Sequence, residues 1–424
     1  MPRETGNRSV AVVLFSVGLL VAATNLQTSV LSLRAGLEGF REETIGLMMS
    51  AYFLGFTGGP ILALRFVGSV GYIRTFAAFA SVASGVALLH GLVISAALWA
   101  LFRFVYGLCY AGLVLVVESW LTQEIRPESR GRALSIYGLV FMLGAGVGQL
   151  ALTSASVDGL ALFAVVSVVL SLSLVPPSLV RIEEPPVPGY ARFRIMVVFR
   201  HSPVGASAVI AAGLIVSVYW SLMPRALQLL GLGTRWIAVT MSAGVLGALV
   251  LQVPLGRLSD LLDRRVVILW AAALGAASAA ILATPPVSGE HGVTVLWLLV
   301  GILGGFTLPL YSLALAHIND RLPREDLAPA AATNILLFGL ASAAGPTMAS
   351  VMLRIMGPSA VFAYIAVVLV LFILFATARL QRRPALRHPA KRLFQALPRT
   401  TFLATRLIQH RHAERYHHKS PHEE

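Results

Sequence analysis

The chain has 424 residues, of which 57% are hydrophobic and only 12% are charged. Soluble domains carry about 25% charged residues, so this composition excludes an ordinary soluble enzyme and indicates a chain that lives in lipid. The net charge of +14 does not indicate nucleic-acid binding, because eleven of the 33 basic residues follow residue 378 and most others lie in short loops between apolar segments. The single cysteine, Cys109, excludes a disulfide framework.

Six apolar segments fill the first 180 residues. A helix needs about 20 apolar residues to cross a bilayer core, and backbone groups in lipid must bond within their own segment. Each segment is therefore predicted to be a membrane-spanning helix. The predicted spans cover residues 9–33, 44–64, 75–95, 97–122, 133–157 and 159–180.

A polar, proline-rich stretch at residues 181–202 follows and is predicted to be a linker. Six more apolar segments complete the predicted set of twelve and cover residues 203–229, 236–256, 266–287, 292–316, 327–353 and 355–378. The predicted organisation is an N-terminal six-helix bundle at 1–180, the linker, a C-terminal six-helix bundle at 203–380 and a basic, histidine-rich tail at 381–424. The tail is typical of a basic segment lying on anionic lipid; metal binding by its histidines is the alternative.

Arginine placement predicts the orientation. If the N-terminus is cytoplasmic, 27 basic residues lie in the inner loops, the linker and the termini, and five lie in the outer loops. The five outer residues are Arg34, Arg41, Arg225, Arg235 and Arg354. Inner loops of membrane proteins are enriched in Lys and Arg, so both termini are predicted to be cytoplasmic.

The two sets of six spans resemble each other. A shift of 192 residues places Gly55 on Gly247 and Arg65 on Arg257, without a gap. The same shift places Glu128 on Asp320 in a later loop. These matches indicate an internal duplication, which in transporters places the substrate path between the repeats.

The loop after span eight carries the most specific motif. Residues 254–265 read P-L-G-R-L-S-D-L-L-D-R-R and resemble the cytoplasmic loop signature of the major facilitator superfamily, G-x-x-x-D-x-x-G-R-R. The matching residues are Gly256, Asp260, Arg264 and Arg265, whereas Asp263 replaces the second glycine. The corresponding first-half loop has Gly68 in place of the aspartate. Span four, from Arg103 onward, and the loop containing Arg130 and Arg132 resemble two further signatures of this family.

This resemblance implies an all-α membrane protein with twelve transmembrane helices in two pseudo-symmetric six-helix bundles. It also implies a multi-pass secondary transporter of a bacterial inner membrane. Such a protein moves a small-molecule substrate by alternating access, with protons as the coupling ion, and acts as a monomer with no cofactor and no resident metal.

The inner loops supply a predicted cytoplasmic gate. Asp260 follows a helix and has arginines nearby at 257, 264 and 265, so the carboxylate can hold helices together in one state and release them in another. The alternative is a static loop ion pair, which contributes little where it is exposed. The predicted gate residues are Arg130, Arg132, Gly256, Asp260, Arg264 and Arg265.

Two charged residues inside span four are candidates for the transport site, because charges in spans are rare and costly. Arg103 can hold an anionic substrate group or a proton-carrying carboxylate, or it can be a structural arginine bonding backbone carbonyls. Glu118 can be a proton-coupling site or part of a gate ion pair with Arg130 and Arg132. The two are 15 residues, or about 22 Å, apart along a helix, so they are not expected to pair.

Uncharged polar residues complete the candidate site. By resemblance, helices 1, 4, 7 and 10 line the cavity, and Pro224 is expected to kink span seven just before Arg225. Each polar residue can instead join helices together. The candidates are Asn25, Thr28, Tyr106, Tyr110, Tyr219, Trp220, Gln228, Tyr311 and Asn334.

Several functions remain as alternatives to a proton-coupled transporter of undetermined direction. A multidrug or metabolite exporter working as a proton antiporter is one, although the glycine run of span five lacks the Gly-Pro of the exporter signature. A non-transporting sensor or lipid-handling protein is another. The methionines at 348, 352 and 356 give a minor copper-importer hypothesis, since thioethers bind Cu(I). The sequence contains no P-loop motif, which favours gradient-driven transport over an ATP-driven pump.

Overall fold

The computed structural model describes residues 2–124, 130–180, 185, 193–284 and 290–380. These ranges are almost entirely helical and contain no strand. The first-half helices are Pro2–Leu37, Glu42–Val70, Tyr72–Leu92, Ala96–Glu124, Arg130–Leu150, Ala161–Leu172 and Val175–Leu179. The remaining helices are Ile195–His201, Pro203–Ser221, Met223–Leu229, Thr234–Leu261, Arg264–Ala283, Glu290–Thr307, Leu310–Arg321, Leu327–Met356 and Ala360–Leu380.

Twelve segments of the described chain are long and apolar enough to cross a membrane, which confirms the predicted count. We number them spans 1 to 12 in chain order. Spans 6 and 10 are each built from two consecutive helices. The inner faces of the spans form one continuous apolar core, while leucines and valines such as Leu298 and Val250 are more than half exposed on the outside. An apolar outer surface is what a lipid-facing bundle requires.

Span 7 (Pro203–Ser221) ends in the break that was predicted near Pro224. Leu222 leaves the regular helical conformation, and the short helix Met223–Leu229 starts with Pro224 in its first turn. Proline is tolerated at that position because the first turn leaves its N–H groups unpaired in any case. The break redirects the chain just before Arg225.

Helix packing repeats between the halves. Span 1 packs on span 5, span 2 on span 4 and span 3 on span 6. The second half repeats this scheme, with span 7 on span 11, span 8 on span 10 and span 9 on span 12. The partners are thus related by a shift of six spans, which confirms two pseudo-symmetric six-helix bundles.

Gly55 and Gly247, the pair aligned by the sequence repeat, have the same structural reason to be glycine. A Cβ on Gly55 would collide with the carbonyl oxygen of Phe104 in span 4, and a Cβ on Gly247 would collide with that of Gly301 in span 10. Small residues allow helix backbones to approach this closely inside a membrane bundle.

The two halves meet along three pairs of spans: 1 with 7, 2 with 11, and 5 with 8. Part of the predicted linker is the helix Ile195–His201, which packs on the start of span 11. There the Arg194 side chain donates to Asp326 at 2.6 Å, and its backbone N–H donates to Thr333 at 2.8 Å. The rest of the linker, apart from residues 185 and 193–194, lies outside the described residues, as does the tail at 381–424.

Candidate functional site

Arg103 lies in span 4 and is completely buried. Its guanidinium carbon is 4.4 Å from the ring centroid of Tyr52 in span 2. None of its three side-chain nitrogens has a hydrogen-bond partner among the described residues. A buried charge without hydrogen bonds is costly, and a ring face compensates for only a part of that cost. Arg103 is therefore a buried charge whose described contact is the Tyr52 ring.

Aromatic rings from spans 2 and 4 surround this arginine. The Tyr52 ring lies 6.3 Å from that of Tyr106 and 6.5 Å from that of Tyr110, and Phe56 lies 6.3 Å from Tyr110. The Tyr106 hydroxyl is 3.1 Å from the hydroxyl of Thr24, which ties the cluster to span 1. We call these residues together with Arg103 the Arg103 cluster. It contains three predicted candidates, and Tyr52, Phe56 and Thr24 add to them.

Glu118 lies farther along span 4 and is 1% exposed. The hydroxyl of Tyr137 in span 5 donates to its Oε1 at 2.6 Å. Tyr311 of span 10 lies within electrostatic range of the carboxylate, and its ring stacks at 4.8 Å on Phe338 of span 11. Glu118 is therefore an acidic group of the first half that faces the second half.

A dense ionic cluster joins the ends of spans 8, 9 and 10. Arg264, 2% exposed, donates to Asp320 at 2.7 Å, to Asp260 at 2.8 Å and to the Ser259 hydroxyl at 2.8 Å. Its guanidinium is thus shared by two carboxylates from different spans. We call Asp260, Arg264 and Asp320 the Arg264 cluster. All three belong to the second half, so the cluster fastens one bundle internally.

Arg265, a predicted gate residue, donates to Asp263 at 2.7 Å, and Arg257 is exposed. Asp263 also accepts from the backbone N–H of Arg265 at 3.0 Å and so caps span 9. Burial alone would raise the pKa of the Asp263 carboxyl, but the hydrogen bonds and charge of Arg265 outweigh it and hold this pKa below its ordinary value. The helix from Arg130 is described, whereas the side chains of Arg130 and Arg132 are not.

Ion pairs between the halves lie at the opposite end of the bundle. Arg225 donates to Glu42 at 2.7 Å through Nη2 and at 3.1 Å through Nε, and both side chains are less than one-fifth exposed. Arg354 at the end of span 11 pairs with Glu43 at the start of span 2. We call these two pairs the Glu42 latch.

Two hydrogen bonds reinforce the latch deeper in the bundle. The Ser32 hydroxyl in span 1 donates to the Ser221 carbonyl in span 7 at 2.5 Å, and the hydroxyls of Ser50 in span 2 and Thr347 in span 11 are 2.8 Å apart. The contacts between spans 2 and 11 thus run inward from the latch, and the halves are fastened together at this end.

A family model agrees with this architecture. The model described as Major Facilitator Superfamily matches residues 10–248 and 205–413. The chain belongs to the Major Facilitator Superfamily. It is a secondary transporter of that family and not an enzyme.

Its relatives are similar over nearly their whole length. An uncharacterized MFS-type transporter of Enterobacter sp. (strain 638) is 24% identical over 390 residues, which cover 90% of this chain and 98% of the relative. The uncharacterized MFS-type transporter YcaD of Escherichia coli O6:K15:H31 is 26% identical over 382 residues, covering 88% of this chain and 96% of YcaD.

Solved structures share the fold. A mutant of the nucleoside transporter NupG superposes with a TM-score of 0.74 at 10% identity, covering 88% of this chain and all of that one. A bacterial homologue of the human lysosomal transporter Spinster, inward-facing and unoccupied, superposes with a TM-score of 0.64 at 16% identity. That match covers 95% of this chain and 98% of the homologue.

Within this superfamily fold, several predicted candidates have structural partners. Asn25 and Thr28 donate to carbonyls one turn back in span 1. The Tyr219 hydroxyl donates to the Met241 carbonyl at 3.1 Å, joining spans 7 and 8, and Gln228 accepts from Arg225 at 2.7 Å beside the latch. Of these groups, Tyr219 joins two spans, whereas Asn25, Thr28 and Gln228 bond within their own helices.

Two other candidates, Asn334 and Trp220, belong to the second half. Asn334 in span 11 is fully buried, and both atoms of its amide lack a hydrogen-bond partner in the described chain. Trp220 is half-buried, and its ring lies 5.1 Å from that of Tyr219. Asn334 is one helical turn from Phe338 and so lies on the same side of span 11 as the ring that stacks on Tyr311.

The copper hypothesis finds little support in this fold. Met348 and Met356 are 53% and 62% exposed on the outer surface of span 11. The described residues contain no group of three histidine, cysteine or acidic side chains able to hold a metal ion. A row of methionines on an apolar outer surface faces the lipid rather than a path through the bundle.

Sequence reasoning missed the Glu42 latch. The outer arginines were counted only as evidence of orientation, yet four of the five pair with glutamates within the described residues. The available signal was the Glu42-Glu43 doublet directly before an apolar span. Without the fold, nothing in the sequence places this doublet against residues 225 and 354.

Proposed function

We propose that this transporter couples the movement of a small organic solute to protons, with Glu118 as the proton site. The observation that carries this proposal is a buried carboxyl group on span 4 that accepts from Tyr137 and faces span 10 of the other half. An ionised carboxylate is costly at such a place, so its occupancy by a proton depends on how the halves enclose it. That dependence is what couples a proton to a change of conformation.

The polar contacts between the halves support alternating access as the mechanism. The proposed orientation, with both termini cytoplasmic in a bacterial inner membrane, rests on the arginine distribution and puts the Glu42 latch on the outside. The described conformation is then closed outside. Transport requires a second state in which the Glu42 and Glu43 pairs separate and the opposite ends of the halves approach each other.

The test is solute accumulation in proteoliposomes under an imposed pH gradient, with labelled candidate solutes screened in both directions. We expect the wild type to concentrate its solute when the gradient is present. Glu118→Gln should lose gradient-driven accumulation yet retain exchange of solute across the membrane, because a neutral amide removes the proton and leaves the path intact. The screen also determines the direction of transport.

Glu38→Gln is the matched control, since Glu38 directly follows span 1 and pairs with Arg34 in the last turn of that helix. It should accumulate solute like the wild type. Gradient-driven accumulation by Glu118→Gln at the wild-type level would overturn the assignment of the proton site. Solute binding without any exchange in the wild type would instead indicate a sensor.

A further inference from the structure

The Arg103 cluster presents donors without acceptors. Arg103 is completely buried, and its Nε and both Nη atoms have no hydrogen-bond partner in the described chain. Buried polar groups are nearly always hydrogen-bonded, and an unpaired charged group costs more than an unpaired neutral one. Arg103 therefore lacks an acceptor group that can take hydrogen bonds from several of its N–H groups.

Acidic side chains of the described first half do not supply this acceptor. Each of those side chains already has a different partner, and Glu118 is about 22 Å farther along span 4. The pairs are Glu38 with Arg34, Glu42 with Arg225, Glu43 with Arg354, Glu118 with Tyr137 and Asp158 with Ser156. No described first-half carboxylate therefore pairs with Arg103, and an anion from outside the chain can take that place.

The residues around Arg103 indicate which chemical group can be attached to the anionic group of a ligand. Tyr52 lies directly beside the guanidinium, and the rings of Phe56 and Tyr110 extend this apolar surface, with centroids 6.2 and 6.5 Å from that of Tyr52. Tyr52 and Thr24 keep 7% and 6% of their surface accessible, whereas Arg103 and Tyr106 keep none. The cluster thus adjoins accessible space on the side of Tyr52 and Thr24, and a ligand entering there meets rings first and the charge behind them.

We propose that the Arg103 cluster binds a monocarboxylate with an apolar ring or hydrocarbon body. This ligand class is the substrate class of the transporter, an assignment that rests on the proposed function. A planar guanidinium matches a carboxylate with two parallel N–H···O bonds. Aromatic walls favour an apolar body, because binding buries it and edge or offset ring contacts add to the affinity.

The experiment measures equilibrium binding to the purified full-length protein at neutral pH, without a pH gradient. The probes are benzoate and cyclohexanecarboxylate, each compared with its neutral amide. We expect thermal stabilisation by the carboxylates and not by benzamide or cyclohexanecarboxamide. Arg103→Gln should weaken carboxylate binding by about tenfold or more, since it removes a charge-assisted bidentate contact. The carboxylate affinity of Arg103→Lys should lie between those of the wild type and Arg103→Gln, because lysine keeps the charge but cannot donate two parallel hydrogen bonds.

Arg235→Gln is the matched control, because Arg235 also lies over an aromatic ring, 5.5 Å from that of Trp236, but on span 8. Its carboxylate affinity should equal that of the wild type. If Arg103→Gln does not fold, Tyr52→Leu carries the test, and a loss of affinity for the carboxylates supports the proposal. The absence of carboxylate binding, equal binding of acid and amide, or unchanged affinity in the folded Arg103 or Tyr52 variants would overturn it.

The binding experiment and the proteoliposome experiment can fail independently. Carboxylate binding without gradient-driven uptake would support the Arg103 site and overturn proton coupling. Gradient-driven uptake of a neutral solute without carboxylate binding would support proton coupling and overturn the Arg103 site.

Discussion

Two equivalent corners of the molecule are built from different chemistry. In the second half, Arg264 lies buried between Asp260 and Asp320. The shift of 192 residues places Gly68 and Tyr72 at the corresponding first-half positions of Asp260 and Arg264. There, Tyr72 and Phe76 pack against Trp120 with ring centroids 6.5 and 5.6 Å apart.

The difference indicates that equivalent ends of the two halves can hold their helices together in two ways, since the rings join spans 3 and 4 while the ions join spans 8, 9 and 10. The second-half corner depends on charges that are stable only together, because each buried ion needs its partners. The first-half corner depends on ring packing, which has no such all-or-none requirement. We therefore expect the two corners to respond differently to substitution.

The largest effect should follow from Arg264→Ala. It leaves Asp260 and Asp320 close together without their shared cation, and breaking a buried ion pair costs about 3–5 kcal/mol. Thermal or denaturant unfolding in detergent measures the loss. Arg257→Ala, an exposed arginine one turn before Asp260, is the control and should change stability little. Similar stability of the two variants would show that the ionic corner does not hold the helices.

Tyr72→Arg tests whether the corners can be exchanged. The side chain at 72 is 1% exposed, and among the described residues its ring packs on Trp120, which offers a new cation no carboxylate. An unpaired buried cation should destabilise the protein by about 3 kcal/mol. Tyr72→Phe keeps the ring and should cost far less. A stable Tyr72→Arg protein would contradict the proposed difference between the corners.

Phe76→Leu should have a smaller effect, because losing the ring contact and a little side-chain volume from a core costs about 2 kcal/mol. Unfolding measured at low and high salt should show the same loss, as no charge is involved. Salt sensitivity of this variant beyond that of the wild type would mean that ionic contacts also hold the first-half corner.

The smallest effect concerns Asp263, which caps span 9 beside the ionic corner. The pKa of its carboxyl is lowered in the folded protein, so its stabilising contribution is present above the ordinary value and is lost as the pH falls through the folded value. Asp263→Asn should cost about 1 kcal/mol near neutral pH and flatten the pH dependence of stability below about pH 4. An unchanged acid profile in this variant would contradict the role of Arg265 in holding that pKa.

Much of the fold could be predicted from the sequence, because span length and apolarity are local properties. The twelve spans, the break at Pro224 and the relation between the halves are all confirmed. The aromatic neighbours of Arg103 on span 4 could also be anticipated, since Tyr106 and Tyr110 follow it at helical spacing.

Contacts between distant segments could not be predicted in the same way. Tyr52 lies on another span, and only the close approach of Gly55 to span 4 brings it over the guanidinium. Arg264 was expected to hold Asp260, but its second partner, Asp320, is 56 residues away in the chain. Such partners depend on how the helices pack, which span hydropathy does not specify.

In the proposed mechanism, protonation of Glu118 moves the halves between two states. Spin-label distances measure this movement directly, with Cys109 replaced and labels at the exposed pairs Leu37 with Leu229, beside the Glu42 latch, and Val70 with Leu261, at the opposite end. A change of pH should shift these two distances in opposite directions in the wild type, and Glu118→Gln should abolish the response. Both ends moving together, or an unchanged response in Glu118→Gln, would contradict this mechanism.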